Sequence, residues 1–258
     1  MSNTIGFGQA AVNNDIDFGK GARNNTIDWG LSQTLSPSGE TNITGGSSTP
    51  TFNTKSILFD GVDDRVDLTQ VSFNGEFSVS FWTKPDRFNN WGPMGSGSPL
   101  FFLIQFQTAD QIRMYLQGGA VRTFIETAGN DMVLNQWQHI MICRNSSGVA
   151  TAYRNGVQFG FQAIPLPGTF NLKYIGAYNA ATEFSGGIDE AAYWNTDQNA
   201  NVTAIYNGGV PASLATYNPL GWWRCGDGDT APILSDNGSG GNDGTMINFT
   251  TFSTDVPT

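Results

Sequence analysis

Carboxylates are the residues of this chain best placed to do chemistry, because many of them stand in turn-like sequence between apolar stretches. They are Asp60, Asp63, Asp64, Asp189, Asp227, Asp229, Asp236 and Asp243. Carboxylate oxygens are hard ligands that suit Ca²⁺. Asp residues in turns also bond to their own backbone. A calcium site and simple turn capping are therefore both open interpretations.

Cysteine and histidine are too scarce for a zinc site. Two cysteines, Cys143 and Cys225, and the single histidine, His139, cannot supply four zinc ligands of the usual kind. Both cysteines fall in apolar, strand-like sequence, which favours buried reduced thiols over a disulfide between them.

Groups for acid–base catalysis are also few. His139 alternates with apolar residues, which favours a structural role and leaves triad chemistry without a base. Asp189 and Glu190 are adjacent, and neighbours on a strand point to opposite faces. We do not expect them to flank one glycosidic bond as acid and nucleophile. The sequence therefore predicts a protein that is not an enzyme, with a glycoside hydrolase as an alternative.

Sugar binding needs an accessible aromatic ring beside planar polar groups. Residues 87–98 have the composition of a long loop and place Trp91 next to Asn89 and Asn90. Trp91 is either a sugar platform or a plug over the end of the fold. Tyr178, followed by Asn179, is a second candidate. The remaining tryptophans of strand-like segments, Trp82, Trp137 and Trp194, are predicted to lie in the core.

Short strands must position these groups. Apolar residues alternate with polar ones over residues 56–68 and 77–85, the period of half-buried strands. Glycine is abundant (32 residues) and helix-like periodicity is scarce, which favours strands joined by tight turns. Further strands are predicted over residues 100–107, 111–116, 120–127, 139–144, 150–154 and 173–175.

Three motifs resemble one family in their order along the chain. They are the strand pair at 56–85, the segment of Trp137 and His139 with the hairpin at 152–157, and the strand at 186–195 followed by a short helix at 199–206. Together they resemble the laminin-G/pentraxin-like branch of the concanavalin A-like jelly rolls. The resemblance implies an all-β, antiparallel jelly-roll sandwich with a lectin-like function. It also implies a structural calcium ion, with Asp189 as the best side-chain ligand and Asp60 and the Gly61 carbonyl close by.

The carboxy-terminal segment at 220–246 resembles the stretch that normally opens such domains. Its position after the last family strand predicts a circular permutation, in which the segment completes the same sandwich from the other end. A second domain cut short is the alternative, although some 40 residues support a separate core poorly.

The first 36 residues carry an internal repeat. Isoleucine recurs at 5, 16 and 27, an aromatic residue at 7, 18 and 29, and glycine at 8, 19 and 30, every 11 residues. The two apolar residues of each unit are two apart, on one face of a short strand. We predict a docking arm at 1–36, a linker at 37–55 and the jelly roll at 56–258. An arm that folds back on its own sandwich is the alternative.

Charge and repeat together suggest the setting. A formal net charge of −10 disfavours nucleic acid, and the sequence predicts neither a signal peptide nor a membrane-inserted segment. The repeat is similar to those that open structural proteins of marine bacteriophages. We therefore expect a virion structural protein, extracellular in location and of fibre or decoration type. Residues 1–36 would join copies of the chain or other virion proteins, and the jelly roll would bind host surface glycans. A secreted or cell-surface carbohydrate-binding adhesin is the alternative.

Overall fold

A computed structural model describes residues 53–97, 102–119, 121–126, 129–162, 165–179 and 182–258, with the side chains of Asn90 and Trp91 excepted. The predicted arm at 1–36 and most of the linker at 37–55 lie outside these residues. Among the helices of the described part, none has the length and apolar character needed to cross a membrane.

The described residues form strands, one short α-helix and three short 3-10 helices, at Asn199–Asn201, Asn207–Gly209 and Ala215–Tyr217. The strands are β1 Ile57–Asp60, β2 Arg65–Phe73, β3 Phe77–Pro85, β4 Asn90–Gly95, β5 Leu103–Thr108, β6 Gln111–Tyr115, β7 Arg122–Ile125, β8 Gln138–Arg144, β9 Ala150–Arg154, β10 Val157–Gln162, β11 Phe170–Ile175, β12 Ala177–Asn179, β13 Thr182–Glu183, β14 Ser185–Trp194, β15 Gly221–Trp223, β16 Ile233–Leu234 and β17 Gly244–Ile247. The helix, α1, is Val202–Tyr206.

Two large antiparallel sheets face one another. The first has the order β1-β14-β3-β8-β9-β10, with β15 beside β14, and the second has the order β16-β17-β2-β11-β4-β5-β6-β7. Alternation explains the core, because every second residue of a strand points inward. Phe81 and Ile140 from the first sheet share one apolar cluster with Ile104, Phe106 and Met114 from the second. The predicted all-β jelly-roll sandwich is confirmed.

The outer side of the first sheet is covered by the chain that follows β14. Val202 and Ile205 of α1 pack with Cys143, Trp194 and Trp222 in a second apolar cluster. Helix α1 ends where its C-cap residue, Asn207, takes a left-handed conformation with φ of 50°, which Asn tolerates better than most residues. The short helix predicted from the sequence is confirmed.

The carboxy-terminal segment belongs to both sheets. Strand β15 pairs with β14, and β17 pairs with β2. Trp223 and Leu234 are fully buried in the main core. The segment therefore completes the same sandwich, as the sequence predicts, and is not a second domain. That this order is a permutation of the family's order stays a prediction.

Candidate functional site

The outer face of the second sheet carries polar and aromatic side chains. On β5 and β6, Ile104, Phe106, Ile112 and Met114 point into the core, so Gln105, Arg113 and Tyr115 point outward. Gln105 pairs with Arg113, and Arg113 pairs with Thr123 of β7. Paired residues of antiparallel strands share a face. One polar row therefore runs across three strands.

Strand β12 crosses over this face. A side chain at Gly95 would place its Cβ 2.9 Å from the Cα of Tyr178, and one at Gly92 would reach within 2.1 Å of the backbone nitrogen of Tyr178. Only glycine leaves room for so close an approach. The two glycines of β4 thus hold Tyr178 above the sheet, beside the polar row.

A hydrogen-bonded pair stands at the start of β4. Asn89 has φ of 56°, and its Oδ1 accepts a hydrogen bond of 2.8 Å from Nε2 of Gln105, which is itself buried. The Asn89 backbone N–H donates to the Gln107 carbonyl at 3.1 Å. Two planar amides are thereby fixed beside the strand that carries residues 90 and 91. We call Asn89, Gln105, Arg113, Tyr115 and Tyr178 together the glycan face, after the ligand class that we propose for it.

Tyr178 and Tyr115 lie close enough to influence each other. Burial raises the pKa of Tyr178 above its ordinary value, and the Tyr115 phenol adds a smaller contribution in the same direction. Both rings are only half-buried. The two half-buried rings form an aromatic surface beside the polar row.

Sugar binding by Asn89, Asn90, Trp91 and Tyr178 stays a prediction. Asn89 lies just before β4, and Tyr178 lies on β12, which passes over Gly92 and Gly95 of that strand. The backbones of Asn90 and Trp91 begin β4, where Trp91 pairs with Gln105, but their side chains lie outside the described residues. The prediction of a long loop here was wrong, because residues 90–95 form a strand between β11 and β5.

The sequence prediction missed Gln105, Arg113 and Tyr115. The signal was present, since these polar or amphipathic residues alternate with the apolar residues of two predicted strands. Their grouping with Tyr178 depends on the glycines of β4, which looked like turn residues.

The two predicted calcium ligands do not meet. Asp60 pairs with Ser185, four residues before Asp189 on β14, which puts the two aspartates about 13 Å apart along the strand. Asp189 is buried, and both its oxygens accept hydrogen bonds, from Nδ2 of Asn53 at 2.7 Å and from the Glu190 N–H at 2.8 Å. Asp189 therefore fits a structural role better than a metal site.

Asp60 has other acidic neighbours. Carboxylate oxygens of Asp60, Asp63 and Asp64 lie within 4.8 Å of one another, a donor set that suits a hard cation. Burial, followed by the charge of Asp60, raises the pKa of Asp64. Asp60 also caps its own turn by accepting a 2.8 Å hydrogen bond from the Val62 N–H. Calcium binding at Asp60 stays a prediction.

Glu190 interrupts its strand. Its φ is 46°, and the pairing of β14 with β3 slips between Asp189 and Ala192, which marks a β-bulge. The premise that Asp189 and Glu190 alternate on a regular strand was therefore wrong. Glu190 is buried, and its oxygens accept hydrogen bonds from Trp222 Nε1 and from Arg224 Nε at 3.3 Å. The bulge ties β14 to the carboxy-terminal segment.

His139 has the predicted structural environment. It is buried, with Nε2 2.7 Å from Oγ of Ser80, and burial lowers its pKa to about 3. Ser80 is buried too, and Nδ1 of His139 has no hydrogen-bond partner among the described residues. The contact between Ser80 and His139 resembles the serine–histidine contact of a catalytic triad. Both residues are buried, however, so neither is accessible to a substrate.

Cysteines and tryptophans largely follow the predictions. Cys143 and Cys225 are both free and buried. Trp82 and Trp194 are buried as predicted. Trp137 is not a core residue, because it lies half-buried with Nε1 donating a 3.0 Å hydrogen bond to Asp255.

The two facing antiparallel sheets define a β-sandwich protein, and comparison with known proteins assigns the family. The family described as the concanavalin A-like lectin/glucanases superfamily matches residues 60–201. The chain belongs to this superfamily. Comparison with curated proteins finds no match.

Several solved structures are similar. A candidate carbohydrate-binding protein from Bacteroides ovatus ATCC 8483 has a TM-score of 0.59 at 18% identity, over 80% of this chain and 61% of that chain. This chain therefore spans less than two thirds of that protein's length. A heptameric SAP-like pentraxin from Limulus polyphemus has a TM-score of 0.48 at 13% identity, over 60% of this chain and 82% of that chain. The Bacteroides structure supports the fold.

Proposed function

We propose that the protein is a carbohydrate-binding module whose ligand lies on the glycan face. The observation that carries the proposal is the passage of β12 over Gly92 and Gly95, which holds Tyr178 above the strand that begins next to the hydrogen-bonded amides of Asn89 and Gln105. Membership of a lectin and glucanase superfamily supports it, as does the fold shared with a candidate carbohydrate-binding protein.

The chemistry of the face suits a saccharide. A sugar ring offers an apolar face of C–H groups and a rim of hydroxyls. Half-buried Tyr115 and Tyr178 provide flat apolar area with little loss of side-chain entropy on binding. Exposed Asn89 is already hydrogen-bonded to buried Gln105, so the side chain of Asn89 is positioned before a ligand arrives. Such preorganisation lowers the cost of binding.

The module is further proposed to act without catalysis. The buried pair of Asp189 and Glu190 has its hydrogen-bonding capacity directed at Asn53, Trp222 and Arg224, groups that hold the sandwich together. Ser80 and His139 are buried beneath the aromatic side chains of Trp82 and Tyr206. These observations favour structural roles for the groups that would otherwise serve as acid, base or nucleophile.

The finer proposal is that the module is part of a virion fibre or decoration subunit, with residues 1–36 mediating assembly. Its support is the repeat of an isoleucine and an aromatic residue every 11 positions, which offers equivalent contacts to a repeating partner. A secreted or cell-surface adhesin would use the same glycan face and differs only in what the arm contacts.

Glycan binding is tested by removing one ring of the face. Tyr178→Ala should weaken binding to any polysaccharide that the wild-type chain retains in a panel of neutral and acidic polymers, by tenfold or more, because stacked aromatic area is lost. Tyr217→Ala is the matched control, since Tyr217 is half-buried against the other sheet. Titration calorimetry measures both. Failure of the wild type to bind any polymer, or equal losses in the two variants, would refute the proposal.

A further inference from the structure

Arg113 is the one arginine of the described residues for which the structure gives no polar partner. Arg65, Arg87 and Arg224 have carboxylates nearby. Arg122, Arg144 and Arg154 donate to carbonyl or amide oxygens. Within the described part, no carboxylate lies in ion-pair distance of Arg113, and its Nε is buried without a hydrogen bond.

The position of Arg113 makes it costly in free energy to leave its guanidinium without a partner. Arg113 stands in the middle of β6, between Gln105 and Thr123 on the glycan face, and is half-buried. An arginine held by its neighbours in a sheet is partly removed from water, and a polar atom buried without a partner costs free energy. A guanidinium presents several donors in a fixed plane, a geometry that matches a carboxylate or a sulfate.

We propose that the glycan face takes an acidic saccharide, with its carboxylate or sulfate group on Arg113. This inference rests on the proposed carbohydrate binding and names its substrate class. The sugar ring would lie against Tyr115 and Tyr178, and the anionic group would reach Arg113, two residues before Tyr115 on the same strand.

The net negative charge of the chain bears on how an acidic saccharide would bind. With a net charge of −10, the chain repels polyanions at long range, so acidic glycans would be bound through a local cation and not through general attraction. The other arginines of the described residues have protein partners, and Lys173 of β11 lies over the Tyr174 ring. Arg113 is therefore the arginine of this face that a ligand could engage. A single substitution should therefore decide the preference.

The test uses the full chain with three polymers of similar length: uncharged dextran, sulfated dextran and polygalacturonate. The wild type should bind at least one of the two charged polymers more tightly than dextran. Arg113→Gln should weaken that binding by tenfold to a hundredfold, the range expected for a charge-assisted hydrogen bond, with less loss for Arg113→Lys. Arg122→Gln on the neighbouring strand is the control and should bind as the wild type does.

The outcomes separate the two levels of the proposal. Loss of charged-polymer binding in Arg113→Gln but not in Arg122→Gln supports the acidic ligand, and the better of the two polymers tells a carboxylate from a sulfate. Equal binding of charged and uncharged polymers, or binding that survives Arg113→Gln, overturns the acidic ligand and leaves carbohydrate binding intact. If the wild type binds neither these polymers nor those of the wider panel, both the acidic ligand and carbohydrate binding itself are refuted. Thermal melting confirms folding, and Arg113→Lys keeps the test valid if the glutamine variant is unstable.

Discussion

Glu190 shows how one residue can join two parts of the fold. Its left-handed conformation creates the bulge in β14 and turns its carboxylate towards Trp222 and Arg224 of the carboxy-terminal segment. Burial is the largest influence on this group and raises its pKa from 4.5 to about 7, although the hydrogen bond from Trp222 and the charge of Arg224 act in the opposite direction. The bulge is therefore held by a carboxyl group that keeps its proton well above the pH at which an exposed glutamate loses it.

The raised pKa of Glu190 predicts a pH dependence of stability. The folded state holds a proton that the unfolded chain releases, so the stabilising contribution is complete below about pH 4.5 and is lost as pH rises through about 7. At about 1.4 kcal/mol per pKa unit, the loss is on the order of 3 kcal/mol. The free energy of unfolding of the wild type minus that of Glu190→Gln should therefore fall across this range.

Urea unfolding at several pH values measures this difference. Glu76→Gln, which removes a carboxylate just before β3, is the control for the loss of one charge. Burial, followed by the charge of Glu190, raises the pKa of Asp189. The part due to burial is common to both proteins, and the part due to Glu190 is lost with it in the variant. A flat difference for Glu190→Gln would show that its carboxyl group is not the source of the pH dependence.

At the scale of elements, the crossing of β12 over β4 decides whether the glycan face exists. Gly92→Ala should lift β12 away from the sheet, because the new Cβ would stand 2.1 Å from the Tyr178 backbone nitrogen. We expect glycan binding to fall by tenfold or more while the sandwich stays folded. Gly118→Ala is a matched control, since Gly118 has nearly the same φ (+76° against +73°) and no heavy atom within 4 Å of the added Cβ. Calorimetry measures glycan binding by the two variants, and circular dichroism checks that both are folded. Equal binding by Gly92→Ala and Gly118→Ala would contradict a role for the crossing of β12 over β4.

Much of the element order was predictable, because it depends on local alternation. The strand predicted at 150–154 is β9 as observed, and the one at 139–144 differs from β8 by one residue. The burial of the carboxy-terminal tryptophans followed from the family motif at 220–246. These features depend on residue types that lie close together along the chain.

The rest depended on contacts between distant segments. Asn89, Asn90 and the glycines of β4 have the composition of a loop, and they form a strand because β11 and β5 supply partners on both sides. The bulge at Glu190 does not fall on a glycine, so the local sequence does not predict it. It is held by residues more than 30 positions away. Asp60 and Asp189 were paired by analogy, whereas the register between β1 and β14 separates them. Tertiary pairing overrides local propensity in each case.

At the scale of the whole molecule, the entry of the chain into the sandwich is firmly held. Asn53 donates to Asp189, and the backbone N–H groups of Thr54 and Lys55 donate to Asp227 at 2.9 and 3.3 Å. Ser56 pairs with Ser253 near the carboxyl end. The described chain therefore begins at a firmly held point of the sandwich. Removal of residues 1–36 leaves these contacts intact.

Deletion of residues 1–36 should consequently leave a folded sandwich and abolish assembly. The repeat carries six large apolar side chains at strand spacing, and burial of each contributes about 1.5–3 kcal/mol. That is enough to drive association where a partner covers the stripe, whereas the charged Lys20 and Arg23 fall between the repeated pairs. Light scattering should give a smaller assembly for the truncated chain, with an unchanged melting transition for the sandwich.

A variant with Phe7, Phe18 and Trp29 replaced by serine keeps the length of the arm and should behave as the deletion does. If the full and truncated chains have the same subunit number and attach equally to particles, residues 1–36 have no role in assembly, and the adhesin alternative gains support.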